Sequence, residues 1–126
     1  MLAISRKTDD PKSGSTYAWG KNHRGQLGLG SKDNQYSPCE IMAKEKLQKV
    51  CCGFDFSLGL TFTNKVYFWG NYNNYPQTQK VLTKDIDEPT VIQYFEYNTV
   101  WDIACNYMQS YALVDKGEIK QWGKFV

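Results

Sequence analysis

The chain has 126 residues, 15 Lys plus Arg against 13 Asp plus Glu, and a formal net charge of +2; that is room for one domain with a real core and too little positive charge for a nucleic-acid partner. No apolar run reaches the roughly 20 residues of a membrane-spanning helix, and the apolar run within residues 1–10 is too short for a signal peptide, so a membrane partner is not expected. Four cysteines, at 39, 51, 52 and 105, have neither the density of a disulfide scaffold nor the spacing of a zinc site.

The 15% aromatic content, with nine tyrosines, favours β structure, because rings pack well on a pleated surface. A reduced protein of the cytoplasm, or alternatively the nucleus, is the expectation. Residues 1–14 include Asp9-Asp10-Pro11-Lys12-Ser13-Gly14 and show no periodicity; they read as a flexible leader before a domain spanning 15–126. A first strand is predicted from about Ser15 through Tyr17-Ala18-Trp19, stopped by Gly20. Next comes Gly25-Gln26-Leu27-Gly28-Leu29-Gly30, where three glycines in six positions call for positive φ or for close approach of another backbone.

Short strands follow after Ser37-Pro38: Cys39 to Met42, Leu47 to Cys52, Phe56 to Phe62 and Lys65 to Trp69. The last two flank Thr63-Asn64, and Asn tolerates the left-handed conformation that a tight hairpin needs. A second copy runs through Thr90 to Gln93, Val100 to Cys105, Ser110 to Val114 and Glu118 to Trp122. Val50 to Trp69 aligns without a gap on Ile103 to Trp122, pairing Cys52 with Cys105, Gly53 with Asn106 and Asn64 with Gly117.

Trp-Gly closes three segments, at Trp19-Gly20, Trp69-Gly70 and Trp122-Gly123, at intervals of 50 and 53 residues. Four short antiparallel strands in a unit of about fifty residues describe a blade of a β-propeller. The predicted fold is therefore all-β: two four-stranded antiparallel blades of an incomplete ring, with repeat 1 over about 17–70 and repeat 2 over about 71–123.

Aromatic-x-Trp-Gly, Asn22-x-x-Gly25-Gln26-Leu27-Gly28-Leu29-Gly30, Ser37-Pro38, Val50-Cys51-Cys52-Gly53, Leu60-Thr61 and Val66-Tyr67-Phe68-Trp69-Gly70 follow one another in an order that resembles the repeat of the regulator of chromosome condensation family. The likeness covers 17–70 well and 71–123 loosely. It implies a seven-bladed ring and roles from nucleotide exchange on the GTPase Ran to interaction platforms in ubiquitin ligases and kinases. The family often places His three residues after the Val-x-x-Gly glycine, where this chain has Phe56 and Gln109. The second unit replaces Gly-Gln-Leu-Gly with Asn71-Tyr72-Asn73-Asn74-Tyr75-Pro76-Gln77.

The residues shared by the repeats read as structural: Trp19, Gly20, Gly25, Gln26, Leu27, Gly28, Gly30, Gly53, Trp69, Gly70, Trp122 and Gly123 let each blade turn and pack on the next. The glycine run lacks the spacing and the Lys of a phosphate loop. His23 is the only histidine, so a hydrolase with a His base has little to be built from and a surface position is expected. Asp85, Asp87 and Glu88 lack calcium-loop spacing and read as a solvated loop. Cys52 and Cys105 are expected as small core residues, with Cys51 and Ala104 at contacts between blades.

No catalytic, cofactor or metal site is predicted. The segment open to a functional reading is Asn71, Tyr72, Asn73, Asn74, Tyr75 and Pro76, either as a partner-binding loop or as a decayed copy of the repeat. Two blades cannot close a ring, so a longer chain, a partner or a homo-oligomer is expected to complete it. The function expected is a non-enzymatic protein-interaction module, with part of a guanine-nucleotide exchange factor for a small GTPase as the alternative.

Overall fold

The computed structural model describes residues 1–5, 14–41, 43–76, 83–95 and 98–123. Ten strands occur among them: β1 (Leu2–Ser5), β2 (Ser15–Gly20), β3 (Gln35–Glu40), β4 (Leu47–Cys52), β5 (Phe56–Thr61), β6 (Val66–Gly70), β7 (Ile86–Val91), β8 (Asp102–Cys105), β9 (Gln109–Leu113) and β10 (Ile119–Gly123). They form three antiparallel sheets ordered β1-β2-β3, β4-β5-β6-β7 and β8-β9-β10. The all-β class is as the sequence predicts.

The division into sheets differs from the two four-stranded units expected. Each Trp-Gly strand is followed by a further, outer strand of its own sheet: β3 pairs with β2 and β7 with β6. The Trp-Gly pair is a bend inside a sheet, with Gly20 at φ 108 and Gly70 at φ 119. Both outer strands carry proline, Pro38 and Pro89, one position before Cys39 and Thr90, which pair with Ala18 and Phe68. Proline suits this outer position because it has no N–H to donate to a further strand.

Residues 2–5 are also corrected, from leader to strand. Leu2, Ala3, Ile4 and Ser5 pair with Ala18, Tyr17, Thr16 and Ser15, and Leu2 and Ile4 pack on the core between the first and second sheets. Four residues beside a charged run offer too little periodicity to be read as a strand. The rest of the leader, 6–13, lies outside the described residues, as do Met42, 77–82 and 124–126.

Side-chain alternation places a core on each side of the second sheet. Tyr67 and Trp69 join Ala18, Leu27, Ile41 and Leu47 on the side of the first sheet. Val66 and Phe68 join Phe56, Leu58, Leu60, Ile103, Ala112, Val114 and Trp122 on the side of the third. All of β5 and β6 is buried, as expected of a sheet covered on both faces. The β5–β6 hairpin turns as predicted, with Asn64 at φ 64 and its counterpart Gly117 at φ 76. Asn64 also donates its Nδ2 to Val100 O at 2.8 Å, tying the second sheet to the third.

The expectation for the cysteines is overturned in part. Cys52 and Cys105 stand in the same register, opposite Ser57 and Ser110, yet Cys105 packs on the core while Cys52 is exposed. Both face the preceding sheet. Cys105 meets β4 there, whereas the first sheet has no counterpart of β4 among the described residues. Ala104, which faces away from the second sheet, is exposed because no sheet follows the third among the described residues, and Ile119 on that face is 65% exposed.

Candidate protein-interaction face

Successive strands run in opposite directions, so the β2–β3, β4–β5, β6–β7 and β8–β9 connections gather at one end of the three sheets. The glycine-rich segment folds this face together. Asn22 is fully buried; its Nδ2 donates to Ser31 O and Asp33 O at 2.9 Å each, and its Oδ1 accepts from Leu27 N at 3.0 Å. Gln26 O accepts from Ser57 Oγ at 2.7 Å, and Gly30 N donates to Asp87 O at 2.8 Å. The loop of the first sheet is thereby fastened to the second.

Gly28, at φ 74, leaves room for the Trp69 indole, which would lie 2.9 Å from any Cβ at that position. Of the two alternatives expected for this run, positive φ holds at Gly25, Gly28 and Gly30, and close approach of another backbone holds at Gly25, beside Asp87; at Gly28 and Gly30 the neighbours are the side chains of Trp69 and Glu88.

A second network fixes the next connection. Arg24 donates through Nε and Nη2 to both carboxylate oxygens of Asp85, at 2.8 and 3.1 Å, and through Nη2 to Asn71 Oδ1 at 2.9 Å. Asn71 Nδ2 and Asn74 Nδ2 donate to the two oxygens of Asp55, at 2.8 and 3.3 Å. Tyr72 N donates to Asp85 Oδ1 at 3.2 Å, and the Arg24 guanidinium lies 5.9 Å from the centre of the Tyr72 ring.

These contacts sort the predicted partner-binding loop. Asn71, Asn74 and Pro76 are buried, and Tyr75 sits edge-on to Phe68 with centroids 5.5 Å apart. They serve the interior, because a buried amide must find its partners inside the protein. Tyr72 and Asn73 remain partly accessible. Asp85 is corrected too: it is no solvated loop residue, since its side chain is 8% exposed and faces Arg24 and Lys32.

Burial alone would raise the Asp85 carboxyl, but Arg24, Tyr72 N and Lys32 outweigh it and hold the group below the usual carboxylate range. Its contribution to stability is therefore complete above the unfolded value of about 4 and is lost as pH falls through the lower folded value. Asp85→Ala should cost about 2–3 kcal/mol at neutral pH in urea unfolding. The variant should also lose less stability than the native chain between about pH 5 and pH 3.

Two residues passed over in the sequence stand out on this face. Phe54, 50% exposed, stacks on Tyr107, 62% exposed, with ring centroids 4.7 Å apart and planes at 29°. Phe54 N donates to Tyr107 O at 2.9 Å, so the stack is held by backbone as well as by rings. His23, exposed as expected, approaches the Phe54 ring edge-on at 6.5 Å. The alignment of Gly53 with Asn106 already places Phe54 and Tyr107 in register; two aromatics at one repeat position were the available signal. No cluster of three or more His, Cys, Asp or Glu suited to a metal occurs among the described residues.

Packed sheets with one rim of connecting loops define a segment of a β-propeller. The Regulator of chromosome condensation (RCC1) repeat matches residues 13–60 and, in a second form, 48–77; the chain belongs to this family. The human E3 ubiquitin-protein ligase HERC2 is 31% identical over 117 residues, covering 89% of this chain and 2% of the ligase. Among solved structures, human WBSCR16 superposes with a TM-score of 0.75 at 20% identity, covering 97% of this chain and 30% of that one. Prp20p from Saccharomyces cerevisiae, described with binding properties to Gsp1p and histones, gives 0.75 at 17% identity over 97% and 31%. The chain thus spans a small part of the relative and about a third of the structures.

Proposed function

We propose that this chain is a non-enzymatic protein-interaction module whose contact surface is the loop face centred on Phe54 and Tyr107. The observation that carries the reading is the exposed, backbone-supported aromatic stack. Rigid rings on a preorganised surface lose little entropy on binding, which is how protein interfaces gain affinity. The Arg24–Asp85–Asn71–Asp55 network supports it by fixing the loops around the stack before any partner arrives.

The double variant Phe54→Ala/Tyr107→Ala tests this. Because both rings are half exposed, it should keep the native circular-dichroism spectrum and lose proteins that the native chain captures from a cell lysate by at least tenfold. Unchanged capture would move the interface elsewhere.

Nucleotide exchange on a small GTPase is the second reading, favoured by the fold shared with Prp20p and its described binding to Gsp1p. It predicts faster release of labelled GDP from a Ran-type GTPase on adding the protein. Release at the intrinsic rate leaves the interaction reading in place. A further part of the proposal is that the outward faces of the first and third sheets, with Trp19 and Ile119 on them, take up additional sheets. A second copy of this chain would serve, and a monomeric mass by light scattering at high concentration would exclude that arrangement.

A further inference from the structure

Cys51 lies on β4 of the second sheet and Cys105 on β8 of the third, two strands in contact across the sheet interface. Register turns the two thiols toward each other. Cys105 shares the position of Cys52 and faces back to the second sheet, while Cys51, one residue earlier, faces forward. Both pack on the core between these sheets and are free thiols. Lys49 and Asp102 bridge the same two strands at 2.6 Å, holding them together beside the pair.

We propose that Cys51 and Cys105 are an oxidant-responsive pair, in which a peroxide oxidises Cys51 and Cys105 then closes a disulfide tying β4 to β8. In the first step the Cys51 thiolate attacks one peroxide oxygen, the O–O bond breaks, and the departing hydroxide takes a proton to become water, leaving a sulfenic acid. In the second, the Cys105 sulfur attacks the Cys51 sulfur, the S–O bond breaks, and the departing hydroxide takes the Cys105 proton. Two thiols and one hydrogen peroxide yield one disulfide and two waters.

The surroundings divide the roles in this order. A hydrogen bond from Cys105 lowers the Cys51 thiol against its burial, with help from Lys49 and opposition from Asp102. The same hydrogen bond and burial raise Cys105, to which Cys51 and Cys52 add and which Lys49 opposes. Cys51 is therefore the more readily ionised of the two, and the attacking form is the thiolate. Cys52 points to the other face of β4 and is exposed, which makes it an internal control.

The test is peroxide treatment of the full chain, alkylation and peptide mass spectrometry. Cys52→Ser is included because no Lys or Arg separates Cys51 from Cys52. Expected are a mass loss of about 2 Da, a cross-linked 51–105 peptide that persists in Cys52→Ser, and a melting temperature higher by about 5 °C. Cys105→Ser should stop at a sulfenic acid trapped by dimedone on Cys51. A dimedone adduct on Cys51 of the native chain without the cross-link, a bridge through Cys52, or equal oxidation of all four thiols would overturn the assignment.

Discussion

Gly70→Ala is expected to lose most of the folded population at 37 °C. The residue is at φ 119, and a Cβ there would lie 2.5 Å from Phe56 Cα and 2.6 Å from Asp55 O. These are backbone atoms of the neighbouring strand and its lead-in, which cannot rotate aside as a side chain could. Strain from the dihedral adds to strain from the contact, for a loss of about 3–5 kcal/mol, a large fraction of the stability of a domain this size. Urea unfolding followed by tryptophan fluorescence measures it. Gly117→Ala is the comparison: it also has positive φ, at 76, but no heavy atom beyond its two chain neighbours lies within 4 Å of its added methyl. It should cost about 1 kcal/mol, from the dihedral alone. Equal losses in the two variants would show that the close approach at Gly70 contributes nothing.

The three Trp-Gly tryptophans, alike in sequence, should separate widely on truncation. Trp69 is wholly buried between Gly28 and the second sheet, Trp122 is 8% exposed, and Trp19 is half-buried. All three face the sheet that precedes their own, and no preceding sheet covers Trp19 among the described residues. Trp69→Ala is therefore expected to cost about 3–5 kcal/mol, Trp122→Ala somewhat less and Trp19→Ala about 1 kcal/mol. Trp69→Phe should recover most of the loss, because the Trp69 Nε1 has no hydrogen-bond partner among the described residues. Thermal melts of the four variants check the order; a Trp19 loss equal to that of Trp69 would mean that the outward face is covered in solution.

Much of the strand pattern was legible because this chain keeps its signals local. The β4 range matches its predicted span, and the β5–β6 turn follows from one Asn whose counterpart is Gly117. The glycine-rich segment called for positive φ or a close backbone; the structure shows the positive φ, and at Gly28 the crowding neighbour is the Trp69 side chain. What could not be read depended on partners far away in sequence. Asn71 and Asn74 look like solvated loop residues until Asp55 and Arg24 are placed beside them. Cys52 looks like Cys105 until the neighbouring sheet is counted. The division into sheets was misread because Gly70, a plausible terminator, is the residue about which the strand bends before β7 returns to pair with Tyr67 and Phe68.

That half-step offset between repeat and sheet has a consequence for cooperativity. A unit cut from Trp-Gly to Trp-Gly takes β3 from the first sheet and β4, β5 and β6 from the second, leaving β7 without its neighbour. The β6–β7 ladder is thereby divided between two successive units, so the unit that ends at Trp69-Gly70 does not own its whole sheet and cannot serve as an autonomous folding cassette. Sheets that share their strands between successive units should melt together, and a recombination between related chains that respects the sequence period will still divide a sheet.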